Sequence, residues 1–167
     1  MTLESLLGTG WWVTVALLAP NVLWALLPGG NRRAAPEAAP PRWLTWVAGV
    51  EWVSRLAAIL LPVFSRYQLR STGEVAASCA MAVSLSFYYA GWLRYFLGGR
   101  QPVLLYRSLL GIPLPLAISP VVFLLAASIA LHSPALACAT AVFGAAHLTL
   151  ASAERERPFP ASRPAGR

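Results

Sequence analysis

The stretch Trp43–Phe64, WLTWVAGVEWVSRLAAILLPVF, decides the fold. Its 22 residues are enough to cross a bilayer, for which an α-helix needs roughly 17–25. Only two charges interrupt the run, Glu51 and Arg55. A glutamate four residues before an arginine shares its helical face, so the two side chains can pair. Charges within a bilayer are costly and face a bundle interior or a wet cavity, which makes this pair the first candidate site.

Four more apolar runs accompany it: Trp11–Leu27, Val75–Leu97, Leu109–Leu131 and Ala135–Ala153. The chain is 57% hydrophobic and 11% charged, whereas a soluble domain carries about 25% charge. These runs predict an all-α polytopic membrane protein, a five-transmembrane-helix bundle over residues 1–153. The tail from 154 to 167 alternates charge and then turns to Pro158, Pro160 and Pro164. It cannot bury enough apolar surface to order itself, so a mobile cytoplasmic tail is expected. Pro36, Pro40 and Pro41 likewise make 29–41 an irregular loop. Residues 1–10 hold Glu4 and no basic residue. That is unlike the basic start of a signal peptide, so the first run is read as a retained helix.

All 13 basic residues are arginines. With the N-terminus outside, ten fall on the inner side: Arg32, Arg33, Arg42, Arg94, Arg100, Arg107, Arg155, Arg157, Arg163 and Arg167. Only Arg66 and Arg70 fall outside, and Arg55 lies within a span. The positive-inside rule then gives N-out/C-in in the cell membrane, with several passes. The net charge of +7 does not point to nucleic acid, because these arginines flank apolar runs. The bilayer is the expected partner, with an apolar small molecule as the expected ligand.

With that orientation and a rise of 1.5 Å per residue, Glu51 lies ~12 Å from the inner end of its run and Arg55 ~18 Å. Asn21 and His147 come out at ~9 Å, Tyr89 at ~12 Å, and Ser86 and Ser119 near ~15 Å. Polar groups from all five runs thus converge in the inner half of the bilayer. Ala48, Glu51, Arg55 and Ala58 share one stripe, and Thr140, Gly144 and His147 another. Small residues at this spacing make room for a ligand or simply let helices pack closely.

Glu51 and Arg55 are the candidate catalytic residues, and Asn21, Trp52, Ser86, Tyr88, Tyr89 and His147 the candidate substrate-binding ones. Each has a plainer role open to it: a salt bridge that fixes helix register for the pair, hydrogen-bonded packing for His147, and capping of backbone freed by Pro20 for Asn21. Trp11, Trp12, Trp43, Trp46, Trp92 and Tyr95 fall near interfaces, where amphipathic rings are expected. Trp52, Phe87, Tyr88 and Tyr89 lie deeper, at the level of a pocket. Pro113, Pro115 and Pro120 predict a kinked fourth helix that opens a cavity. Cys79 and Cys138 fall at similar depth, as a bridge or as small buried apolar residues. His132 is at the opposite face from His147, so the two cannot share a metal or haem. No metal or cofactor is expected.

HExxH, GxSxG, the P-loop and CxxC are all absent. With no Asp and one intramembrane Glu, two-carboxylate catalysis within the membrane is excluded. A glutamate in an aromatic-lined apolar cavity suits an acid that starts an isomerisation or cyclisation, with aromatic faces stabilising a cation. Arg55 opposes that role by stabilising the carboxylate. The segments VEWVSRL and FYYAGWLRYFLGGR, with the size and helix count, resemble the small bacterial membrane-bound terpene cyclases. The resemblance implies Glu51 as proton donor and the deep aromatics as the cavity wall. The tryptophan-rich five-helix translocator-protein family is similar in helix count and length. The expected function is therefore proton-initiated cyclisation or isomerisation, or binding, of an isoprenoid or lipid-like molecule. The alternative is a non-catalytic membrane-complex subunit or transporter component.

Overall fold

The computed structural model describes residues 8–27 and 41–156. The expected loop over 29–41, all but Pro41, and the expected mobile tail beyond Glu156 lie outside the described residues, as do the arginines they carry. Five helices dominate: α1 (Trp11–Leu26), α2 (Arg42–Leu60), α3 (Thr72–Leu97), α4 (Pro115–Ala130) and α5 (Pro134–Glu156). A 3₁₀ turn, Leu61–Phe64, extends α2. Among the described residues, three segments are long and apolar enough to cross a membrane: Arg42–Phe64, Thr72–Leu97 and Pro134–Arg155. α1 and α4 are shorter apolar helices. Their 16 residues rise about 24 Å, less than the roughly 30 Å hydrocarbon core.

α4 is the hub. Its residues are apolar nearly all round and buried on most faces, with Phe123, Leu124 and Ala127 almost inaccessible, as befits a helix wrapped by others. α3 packs along one side of it and α5 along another, while α2 packs on α5. Two glycines allow the close approaches. A Cβ at Gly91 would meet the Leu116 side chain at 2.9 Å, and one at Gly144 would meet Val121 at 2.7 Å. The outer surface keeps large apolar side chains, including Trp46 and Trp52 on α2. Such continuous apolar exposure is compatible with lipid rather than water as the solvent.

Glu74 closes the start of α3. Its carboxylate accepts from the backbone N–H groups of Arg70 and Ser71, and the Ser71 hydroxyl accepts from the Glu74 N–H. This is a reciprocal capping box. His132, in the α4–α5 turn, adds a contact from Nε2 to Glu74 Oε1 at 3.0 Å.

The fourth apolar run is not one kinked helix. Leu109 and Ile112 exchange both backbone hydrogen bonds around Leu110 (φ 50°) and Gly111 (φ 83°). Positive φ at both central positions is the signature of a tight hairpin turn. Leu114 is also left-handed, at φ 51°, and α4 starts only at Pro115. Proline belongs there, because the first helical N–H has no partner to lose. The Arg94 guanidinium pins the preceding connection by donating to the carbonyls of Leu104, Arg107 and Ser108.

Other expectations change as well. Trp92 and Tyr95 are buried in the core rather than placed at an interface. Cys79 and Cys138 are free and exposed, so they are neither a bridge nor buried filler.

Candidate functional site

The buried face of α2 carries Leu44, Glu51, Ser54 and Ala58, one stripe at helical spacing. It turns the Glu51 side chain inward, where 7% remains exposed. One carboxylate oxygen, Oε1, gathers two donors. Arg55 Nη2 reaches it from one turn along the same helix, and His147 Nδ1 reaches it from α5 at 2.9 Å. An ionised carboxylate only accepts, so Nδ1 carries the hydrogen in that bond. The 3.4 Å approach of Arg55 Nη2 to Nδ1 is then a contact between two donors around one shared oxygen. Nε2 is the imidazole nitrogen not engaged with Glu51.

Phe143, one turn before His147 on α5, contacts both partners of Glu51. Its ring stacks on the imidazole with centroids 4.9 Å apart and planes 23° apart. The Arg55 guanidinium carbon lies 5.7 Å from the same ring centroid, within cation–π range. Arg55 is the most exposed member of the cluster at 42%, against 22% for His147.

The cluster forms part of the wall of an open cavity of about 630 Å³, within the usual size of small-molecule sites. All five helices contribute. α1 supplies Asn21 and Trp24, α2 adds Thr45 and Ala48 beside Glu51 and Arg55, and α3 adds Trp92. α4 contributes Leu116 and Ala117 at its first turn, and α5 contributes Ala151 and Glu154 beyond His147. Leu105 and Tyr106 close one side from the connection that Arg94 pins. The cavity lies at the end of the bundle where α1 finishes and α2 begins. Among the described residues, no group of three or more His, Cys, Asp or Glu is placed to hold a metal ion.

Of the candidates named from sequence, the structure brings Glu51, Arg55, His147 and Asn21 to this one cavity. The others stand elsewhere. Trp52 is 61% exposed on the outer surface of α2. Ser86 is exposed and donates to its own helix at Ala82 O. Tyr88 is buried, with its hydroxyl donating to Leu17 O and accepting from Asn21 Nδ2 at 2.6 Å. Tyr89 donates to Ala16 O at 2.8 Å. That carbonyl is the one Pro20 leaves without an N–H four residues on. The freed backbone is therefore capped by Tyr89, while Asn21 bonds Leu17 O and Tyr88 instead.

Trp24, Trp92, Tyr106, Thr45 and Phe143 belong to the site without having been singled out for it. Helical spacing carried the signal for three of them: Trp24 is three residues after Asn21, Trp92 four after Tyr88, and Phe143 four before His147. Trp24 and Trp92 approach with centroids 6.5 Å apart, and both line the cavity.

Comparison with protein-family models, with curated proteins and with solved structures finds no match for this chain.

Proposed function

We propose that this is an integral membrane protein of five spans, N-out/C-in, that binds an isoprenoid or lipid-like molecule and moves a proton on it. The observation that carries this reading is the 2.9 Å bond between Glu51 and His147 on the wall of a cavity that Trp24, Trp92 and several aliphatic side chains also line. With Nδ1–H held by that carboxylate, Nε2 takes a proton from water in the open cavity, gives it to the guest and recovers one from the guest afterwards. Arg55 keeps Glu51 suited to orienting rather than donating, so the proton passes at His147 Nε2. The rings of Trp24 and Trp92 in the cavity wall are of the kind that stabilises positive charge developing on a guest. Isomerisation or cyclisation of an alkene needs no more than this: a proton is added at one carbon and another is lost from a neighbouring carbon.

The test is turnover in D₂O. Protein in lipid nanodiscs is incubated with prenyl alcohols of graded length, and products are separated and weighed. Proton-initiated rearrangement yields an isomer heavier by one deuterium for hydrogen exchange, absent with Glu51→Gln and His147→Gln. Failure of every probe to exchange or rearrange contradicts the catalytic reading.

A second reading has its own support. Arg55, Glu51 and His147 satisfy one another and bridge α2 to α5, which pack extensively. This arrangement equally suits a non-catalytic subunit whose charged cluster fixes helix register. In that case both variants lower stability and no product forms.

A further inference from the structure

We propose that the cavity is entered sideways from the bilayer, through a seam between α1 and the first half of α2, by the acyl or prenyl chain of a membrane amphiphile. The proposal deepens the function above and rests on it for the nature of the guest. It stands on how α1 is held.

At one end α1 is tied to the end of α2 and to the segment that follows it. Thr14 Oγ1 donates to Ile59 O at 2.6 Å, Gly10 N–H to Ser65 O at 2.9 Å, and Tyr67 N–H to Gly8 O at 3.0 Å. Toward the other end the ties change partner. Asn21 bonds Tyr88, Trp24 Nε1 donates to Tyr95 at 3.1 Å, and Tyr89 caps Ala16, all on α3. α1 packs chiefly on the 3₁₀ turn, only lightly on α3 and least on α2, so its far half is held to α3 by these hydrogen bonds. The two helices therefore part company along the stretch where Asn21 and Trp24 face Thr45 and Ala48 across the cavity.

The chemistry of the seam selects its occupant. On the flank of α2 that carries Thr45 and Ala48, Trp52 is 61% exposed, while Trp46 and Val50 are exposed on the other flank, along a groove against α5. On the cavity side the first residue met is Ala48, whose single methyl leaves the gap open. Glu51 and Arg55 follow one and two turns further along. A guest with an apolar chain and a polar end can thus keep its chain in lipid-like surroundings throughout and reach the charged cluster with its head. A wholly water-soluble guest has no use for such a route.

The experiment uses full-length protein in vesicles of phosphatidylcholine, a fraction of which carries a diazirine on one acyl chain. After irradiation, adducts are mapped by peptide mass spectrometry. Expected are adducts on the seam residues Asn21, Trp24, Thr45 and Ala48, in addition to those on lipid-facing Trp46 and Trp52. Ala48→Phe fills the gap, and adducts at Asn21 and Trp24 are then lost while those at Trp52 persist. Ala48→Ile makes the same test with less added bulk. Adducts on Trp46 and Trp52 alone in the unaltered protein overturn the proposal, as does an adduct pattern unaffected by both substitutions. Failure of the proton-transfer reading is told apart from this one. A deuterium-free result with the seam labelled removes the chemistry and keeps the portal, whereas deuterated product with an unlabelled seam removes the portal alone.

Discussion

Glu51 receives two donors on one oxygen, and the consequence is that no member of the cluster is replaceable alone. Removing the carboxylate leaves Arg55 beside Phe143 with its counter-charge gone. Breaking a fully buried pair typically costs roughly 3–5 kcal/mol. Arg55 is 42% exposed and partly solvated, so a smaller loss of about 1–3 kcal/mol is expected for Glu51→Gln. The double variant Glu51→Gln/Arg55→Gln should recover part of it, because the orphaned charge is gone too. Unfolding in mixed micelles across the four members of that cycle measures the coupling. Additive losses would mean that the two side chains do not act as a unit. This pair was legible in the sequence from its spacing alone. Its third member, His147, was expected at a similar depth, but the bond itself was not, since nothing local links positions 96 residues apart.

At the scale of the helices, Pro20 illustrates how a break in one element is repaired by another. The carbonyl of Ala16 loses its intrahelical partner, and the Tyr89 hydroxyl from α3 takes its place. Tyr89→Phe should cost about 1 kcal/mol, the usual net worth of such a bond. In a Pro20→Ala background the same change should cost almost nothing, because the restored N–H at position 20 takes up Ala16 O. An equal cost in both backgrounds would show that the hydroxyl acts elsewhere. The proline pointed to a repair but not to its source, and the neighbouring Asn21 was the natural candidate from sequence. The fourth helix teaches a related lesson. Hydropathy runs unbroken from Leu109 to Leu131, yet the backbone turns sharply at Leu110 and Gly111 and the helix waits until Pro115. Apolar content reports the solvent that a segment meets, and says little about whether its backbone is helical. Gly111, Pro113 and Pro115 were the marks of that turn.

For the molecule as a whole, composition and the five apolar runs sufficed to foresee an all-helical assembly with membrane-length segments. They did not foresee that α4 would be the buried hub, because burial on all sides and exposure to lipid demand the same apolar residues. The same ambiguity put Trp92 and Tyr95 at an interface and Trp52 in a pocket, when the first two are core and the third faces outward. Charged residues escape it, since they are tolerated in few places, and they pointed to the candidate site. The account therefore turns on the cluster that joins α2 to α5 at the cavity wall. Solid-state NMR of bilayer-embedded protein with ¹³C-labelled glutamate and ¹⁵N-labelled histidine tests it directly. A through-space cross-peak between the Glu51 carboxyl carbon and His147 Nδ1 is expected, as the 2.9 Å bond requires, and it should vanish in Glu51→Gln. A His147 ring with no carboxylate contact in the unaltered protein would contradict the account.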